Sequence, residues 1–267
     1  AYINSQFGSE KLFRNRMFIA KLNPTSLTLQ KIREIDLSEA YDNFHIPLTR
    51  GLEDGRLYHD GEKLMVSCVL FESKKITHAR IGTIELDMSG STPKGRNLVM
   101  FDSPRGENIV EKNWMPVQKP SLFTAVDFDF LYDSGFTYST ETNEITEVDG
   151  PKLPVRGGSQ LVGLENGTML AITHQTITSD YMRFANIQKP PIMRRRYVHR
   201  FIQYSSNGEI LKVTDMFNFL NKSIEFASGL AIKDGKLLVT FGALDSSAHI
   251  ASFPLKKVLS ALRPPKI

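Results

Sequence analysis

Short groups of acidic, basic and amide side chains stand directly before apolar segments at several points in the chain. Three groups, at 53–56, 111–114 and 156–160, mix charged and amide residues, and Glu225 opens a fourth. Carboxylates and amides bind sugar hydroxyls, an indole ring stacks on a sugar face, and a carboxyl group protonates a bridging oxygen. If the fold brings these groups together, their chemistry favours a pocket for a carbohydrate.

A repeated segment predicts the fold that would bring these polar groups together. A polar lead-in with glycine, an apolar strand, a turn and a second apolar strand occur at 51–66, 156–172 and 225–239. Asp-Gly or Asn-Gly in each turn supplies the positive φ angles of a tight hairpin. With two weaker copies, the spacing predicts an all-β, five-bladed β-propeller that forms a single domain over residues 1–267. Its blades would start near residues 3, 51, 111, 156 and 225.

In a propeller the innermost strand of each blade lines the central axis, so the five lead-ins should meet at one mouth of the channel. The first lead-in would add Asn4, Ser5 and Gln6 to this pocket. The other interpretation is structural, with polar residues that cap strand ends and tie blades together. Substrate-binding candidates are side chains at or near the lead-ins: Glu53, Arg56, Glu111, Lys112, Asn113, Trp114, Arg156, His174, His199 and Arg200.

Composition limits the class of protein. The 267 residues carry a net charge of +4 and are 41% hydrophobic, which suits a folded globular chain. No apolar run is long enough for a membrane span, and the first residues lack a basic-then-apolar signal pattern. Cys68 excludes an internal disulfide, and its apolar surroundings predict a buried, inert thiol. These features together predict a cytoplasmic protein.

Nucleic acid is a poor candidate partner. The densest basic cluster, at 194–196, has no interleaved aromatic residues that would stack on bases. It is either a solvated loop or an anion-binding patch. The six histidines show no close metal-binding spacing, and there is no calcium loop or phosphate-cradling glycine loop. We therefore expect no metal ion and no cofactor.

One lead-in resembles a known family. Gly-Leu-Glu-Asp-Gly-Arg at 51–56 is similar to the Gly-x-Glu-Asp-Pro-Arg signature of the β-mannoside phosphorylases and hydrolases of glycoside hydrolase family 130 and of related β-1,2-mannosyltransferases. Gly-Ala-Leu-Asp at 242–245 resembles their late Gly-Ala-Ala-Asp motif. The resemblance implies a five-bladed propeller, with Asp54 as general acid, Arg56 as a ligand for sugar or anion, and Asp245 as a further site candidate. Gly55 replaces the signature proline, which loosens the predicted pose of Asp54.

The mechanism depends on how many acids face each other. An inverting transferase or phosphorylase needs one acid or base, Asp54, with phosphate or an activated sugar donor such as a nucleotide-sugar as co-substrate. An inverting hydrolase needs two carboxylates about 6.5–9.5 Å apart, and Asp54 with Glu225 would form that pair. We expect glycosyl transfer between a sugar or oligosaccharide and an acceptor, with hydrolysis second. The third alternative is a non-catalytic sugar-binding or scaffold propeller.

Overall fold

A computed structural model describes residues 15–23, 25–42, 51–71, 79–106, 109–119, 126–132, 135–178 and 195–266. These residues form five antiparallel β-sheets and two short helices, α1 (Ser38–Asp42) and α2 (Leu255–Ala261). The predicted all-β propeller architecture is confirmed. Neither described helix has the length and apolar character required to cross a membrane.

The sheets follow one another along the chain, and each is built from strands that are consecutive in sequence. The first has β1 (Phe18–Leu22) and β2 (Leu29–Glu34). The second has β3 (Leu52–Asp60), β4 (Lys63–Phe71), β5 (Ala79–Asp87) and β6 (Lys94–Met100). The third has β7 (Met115–Pro116), β8 (Phe130–Leu131), β9 (Phe136–Ser139) and β10 (Glu144–Glu147). The fourth has β11 (Arg156–Gly157), β12 (Val162–Gly163), β13 (Met169–Thr178), β14 (Arg195–Tyr204) and β15 (Ile210–Val213). The fifth has β16 (Glu225–Lys233), β17 (Lys236–Ala243) and β18 (Ser247–Pro254).

The hydrophobic core lies between consecutive sheets, as in stacked propeller blades. One cluster joins sheets one and two through Ile35 and Val66, and a second joins sheets two and three through Ile81 and Trp114. Two further clusters join sheets three and four, and sheets four and five. Each sheet therefore buries a face against the next sheet in sequence, and the order of blades along the chain is their order in space.

The turn predicted for the repeat is present in full in its third copy, whereas in the other two copies only the glycines, Gly61 and Gly167, have positive φ. Asp234 and Gly235 both have positive φ, at 49° and 69°, and they connect the paired residues Lys233 and Lys236. Two positive φ angles in a two-residue loop match the right-handed twist of the strands that it joins. The hairpin thus fixes the register of the fifth blade.

Glycines allow the blades to approach one another at the axis. A Cβ on Gly158 would lie 2.4 Å from the carbonyl oxygen of Ile172 and 2.9 Å from that of Ala227. A Cβ on Gly157 would lie 2.0 Å from the carbonyl oxygen of Asn113. Both distances to backbone atoms are too short for any larger residue, so the Gly-Gly pair sets the contact of blade four with its neighbours.

The innermost strands β3, β11 and β16 begin at 52, 156 and 225, close to three predicted blade starts, and β7 begins after the lead-in at 111–114. The predicted start near residue 3, with Asn4, Ser5 and Gln6, lies outside the described residues, as does Arg194 of the basic cluster. Cys68 is fully buried, and burial raises the pKa of its thiol to about 12. The thiol is therefore inert, as predicted.

Candidate functional site

Arg56 is the point at which four blades meet. It has no exposed surface, and its guanidinium donates to the carbonyl oxygen of Gly158 at 2.5 Å and to that of Asp54 at 3.0 Å. The guanidinium also lies 3.5 Å from Oδ1 of Asn113 and 5.4 Å from the ring centre of Phe226. Burial lowers the pKa of Arg56 to about 10, so the side chain stays charged at neutral pH.

These contacts change the expectation for Arg56. The predicted role was to bind sugar or anion directly, but the guanidinium is enclosed by carbonyl oxygens and an aromatic ring. Its geometry suits a structural role, with a buried positive charge at the axis that holds the lead-ins of blades two to five together.

Asp54 occupies a β-bulge in the innermost strand of blade two. The pairing between β3 and β4 shifts register between Glu53 and Arg56, and Asp54 has φ of 52°. Its carbonyl oxygen is held by Arg56, whereas no described residue makes a hydrogen bond or ion pair with its carboxylate. A bulge re-aims a side chain out of the strand pattern, and such distortions are frequent beside active sites. Asp54 is half-buried and remains available for a ligand.

Arg156 adds positive potential to the same end of the channel, and His174 lies beside it. They are paired across β11 and β13, with Arg156 exposed and His174 3% exposed. Burial, with smaller contributions from His199, Arg56 and Arg156, lowers the pKa of His174 to about 3. The imidazole is therefore neutral at neutral pH. Its Nδ1 is buried without a hydrogen-bond partner among the described residues, so a ligand or water can pair with it.

Two aromatic residues that sequence reasoning missed surround this histidine. Tyr197 stacks on His174 with ring centres 5.0 Å apart, and Phe226 meets it edge-on at 5.4 Å. Both aromatic residues are half-buried. The alternation of side chains along β14 places Tyr197 on the same face as His199, and this pattern in the sequence could have identified Tyr197 as a site residue. Phe226 directly follows Glu225, and nothing in the sequence distinguishes it from any other apolar strand residue.

Trp114 and Glu111 do not belong to this cluster, and their predicted contacts with substrate lack support. Trp114 is 1% exposed within the core between blades two and three, and its indole donates to Oε2 of Glu111 at 3.1 Å. Glu111 also accepts from Ser103 at 2.6 Å and from Tyr132 at 3.0 Å. A carboxylate with three donors and a buried indole form a structural network, so Trp114 cannot stack on a sugar without leaving its core.

Glu225 also has a structural setting. It is fully buried, and its carboxylate accepts backbone N–H groups from Phe219, Leu220 and Lys222 at 2.7, 2.9 and 2.7 Å. The side chain thus closes the loop that leads into β16. These bonds occupy both oxygen atoms, which argues against the predicted catalytic pairing of Glu225 with Asp54.

The remaining candidates lie around this centre or away from it. Glu53 accepts from Asn15 at 3.2 Å, and Lys112 lies 5.0 Å from the ring centre of Phe71. Arg200 is half-buried, with its Nε buried and unpaired within the described part of the chain. Two other candidates have clearer settings: His199, fully buried beside Phe219, with a pKa lowered by burial to about 4, and Asp245, exposed at the tip of the β17–β18 hairpin.

A large cavity lies at the other end of the innermost strands. Its volume is about 820 Å³, and its walls include Leu57, Val162, Leu230 and helix residue Leu259. Gln160, at the end of the 156–160 lead-in, lines it, but none of the catalytic or substrate-binding candidates does. In the ranges that the structure describes, no group of three or more His, Cys, Asp and Glu side chains is arranged to hold a metal ion.

Several solved structures share the fold of this chain. The chain is similar to a candidate glycoside hydrolase from Bacteroides ovatus ATCC 8483, with a TM-score of 0.60 and 17% identity over 90% of this chain and 79% of that one. It is also similar to a glycosyl hydrolase from Bacteroides ovatus, with a TM-score of 0.59 and 12% identity over 100% of this chain and 80% of that one. A β-1,2-mannobiose phosphorylase from Listeria innocua has a TM-score of 0.55 and 14% identity over 88% of this chain.

The chain spans 65% of the phosphorylase's length. At these identities the comparisons establish a shared fold, and the resemblance predicted from the 51–56 motif is confirmed at that level. No protein-family model matches the chain, and no curated protein matches it.

Proposed function

We propose that the protein is an inverting carbohydrate-active enzyme that transfers a glycosyl group, either as a glycosyltransferase or as a glycoside phosphorylase. Asp54 is the general acid or base. The observation that carries the proposal is the pairing of one unengaged carboxylate, that of Asp54, with a positively charged surround. Arg56 bonds to its backbone, and Arg156 stands at the same end of the channel, beside the neutral His174.

A single acid is sufficient for inverting transfer. Phosphate or an activated donor supplies the second reacting group, so the enzyme needs only one side chain that moves a proton. In hydrolysis two carboxylates take part, with a water molecule between the base and the sugar. The engagement of Glu225 by three backbone amides supports the one-acid mechanism over the paired one.

The basic side chains support an anionic co-substrate. Arg156 is exposed and charged, and a guanidinium matches two phosphate oxygens at once. The neutral His174 can donate one hydrogen bond to the same anion without a repulsive second charge beside Arg56. Inorganic phosphate or the diphosphate of a nucleotide-sugar fits this set of donors.

Sugar binding requires a ring face and hydrogen-bonding groups. Tyr197 and Phe226 offer half-buried aromatic surface beside His174, a role that the sequence had given to Trp114. Asn113 and Glu53 supply amide and carboxylate atoms next to Arg56 and Asp54. This combination supports a sugar or oligosaccharide as the other substrate.

A glycoside hydrolase is the second candidate, because two similar structures carry hydrolase names. A donor screen separates the two classes. Purified protein is incubated with β-mannosides, other disaccharides and nucleotide-sugars, each with and without inorganic phosphate. Phosphate-dependent release of a sugar phosphate supports a phosphorylase, and consumption of a nucleotide-sugar supports a transferase. Turnover in phosphate-free buffer supports the hydrolase, and binding without turnover supports a non-catalytic propeller.

A further inference from the structure

The end of the channel opposite Asp54 has a different chemistry. Here β3 contributes Leu57, β12 contributes Val162, and β16 contributes Leu230 and Ile232 to the wall of the 820 Å³ cavity. Helix α2 and the residue that follows it close one side with Leu255, Leu259 and Leu262. The wall is thus formed by several blades and the C-terminal helix, and most of it is aliphatic.

Part of this aliphatic surface faces solvent. Leu57 is 42% exposed although it lies on an innermost strand, and Leu259 on α2 is 36% exposed. Ala231 on β16 is exposed too, whereas Leu230 and Leu262 are buried. Apolar groups gathered in a concave surface gain free energy when a ligand removes them from water, and contiguous exposed patches of this type mark binding sites.

The lining is poorly suited to a sugar. Among the described residues it contains no phenylalanine or tryptophan, and its Tyr58 is 7% exposed and offers little stacking surface. The amide of Gln160 is already used, since it donates to the carbonyl oxygen of Leu230 at 2.6 Å and accepts from its N–H at 3.1 Å. Gln203 donates to Oγ1 of Thr168 at 2.8 Å. The amides of Gln160 and Gln203 therefore stabilise the fold, whereas the charged and imidazole side chains of the lining, Glu165, Lys212 and His59, are exposed.

We propose that this cavity is a second binding site, for a small amphipathic molecule with an aliphatic body and one polar end. Its volume is within the range of about 300–1,000 Å³ that is typical of small-molecule pockets. The aliphatic body covers Leu57, Ala231 and Leu259. The polar end lies at the rim, where Lys212 is exposed and makes no ion pair with a described residue, and where His59 is exposed. A medium-chain carboxylate is the simplest molecule that combines these properties.

Titration calorimetry with decanoate, below its micelle-forming concentration, tests the site. Wild-type protein and Ala231→Ser protein bind the chain, whereas Ala231→Trp, which fills the cavity with an indole, weakens binding at least tenfold. Sugar turnover is the same in all three proteins, because Ala231 lies at the opposite end from Asp54. The proposal fails if wild-type protein gives no binding heat, or if Ala231→Trp binds as tightly as wild type.

A second variant covers the case in which the indole prevents folding. Leu57→Glu places a negative charge on the exposed apolar wall and lowers decanoate affinity at least tenfold, and Lys212→Met, which removes the cation at the rim, also lowers it. Unchanged decanoate affinity in both variants, in proteins that keep the wild-type unfolding temperature, overturns the proposal.

Discussion

The two ends of the same innermost strands differ sharply in chemistry. At one end β3 carries Glu53 and Asp54 and blade four begins with Arg156, whereas at the other end the wall is formed by Leu57 and Val162. The polar end is closed by one arginine that bonds to several blades, and the apolar end opens into the 820 Å³ cavity. This difference shows that the size of a cavity does not by itself identify a candidate active site.

The largest expected effect falls on the arginine at the polar end. Arg56→Met removes a buried charge and leaves the carbonyl oxygens of Asp54 and Gly158 without their donor. Each buried acceptor left unpaired is unfavourable by about 1–3 kcal/mol, so we expect a loss of about 3 kcal/mol or more in the free energy of unfolding. Urea unfolding measures it.

The matched control is Leu57→Met, an apolar change on the same strand at the other end. It should alter the free energy of unfolding by less than about 1.5 kcal/mol. An Arg56→Met protein as stable as Leu57→Met would show that the arginine does not hold the blades together.

Acid should lower the free energy of unfolding through the buried histidines at the polar end. Burial lowers the pKa of His174 to about 3 and that of His199 to about 4, against an unfolded value of 6.5. The unfolded chain therefore binds more protons below pH 6.5, and stability falls as pH decreases toward those folded values. Each histidine approaches a slope of about 1.4 kcal/mol per pH unit only where the unfolded imidazole is largely protonated, below its pKa of 6.5. The combined loss between pH 7 and 5.5 is therefore about 2–3 kcal/mol.

The double variant His174→Gln/His199→Gln should have a flatter dependence of unfolding free energy on pH between 7 and 5.5. His249, which lies in the β18 strand and is half-buried, provides a single-variant control, His249→Gln. If the slope of the double variant equals that of wild type, the two buried histidines do not account for the acid sensitivity.

A substitution at Glu225 tests whether its carboxylate has a structural or a catalytic role. Glu225→Gln loses the charge that three backbone amides recognise, and we expect a decrease of about 2 kcal/mol in the free energy of unfolding. Turnover per folded molecule should change little in comparison with a change at Asp54. A variant of normal stability with turnover reduced a hundredfold would restore the predicted pair of catalytic acids.

The smallest effect on stability should come from Arg156, which is exposed. Arg156→Met should leave the free energy of unfolding within about 0.5 kcal/mol of wild type but weaken the binding of inorganic phosphate about tenfold. Calorimetric titration with phosphate measures this. Lys212→Met, at the apolar end, is the matched loss of an exposed cation and should leave phosphate affinity unchanged; equal losses in both variants would point to a non-specific charge effect.

Local rules of sequence predicted the architecture well. Asp234-Gly235 and the apolar runs that flank it specify a hairpin by backbone geometry alone, and repetition of this unit specifies blades. The short helix α2 (Leu255–Ala261) likewise ends shortly before Pro264 and Pro265, which cannot continue a helix.

The site was harder to predict, since residue type does not reveal what a side chain is bonded to. Trp114 and Glu111 have the chemistry of a sugar site, yet Ser103 and Tyr132, which are distant in sequence, engage Glu111 in the core. Glu225 is likewise engaged by the loop before it. Only the three-dimensional contacts distinguish these residues from Asp54.

The most direct measurement is the rate of glycosyl transfer, on a substrate identified in the donor screen, by Asp54→Asn and Asp234→Asn proteins. Both changes replace one carboxylate with an amide at a residue of positive φ, at opposite ends of the innermost strands. Loss of a general acid lowers the rate by roughly 10²–10⁴-fold, so Asp54→Asn should be that slow while Asp234→Asn matches wild type. A folded Asp54→Asn protein with the wild-type rate would contradict the account.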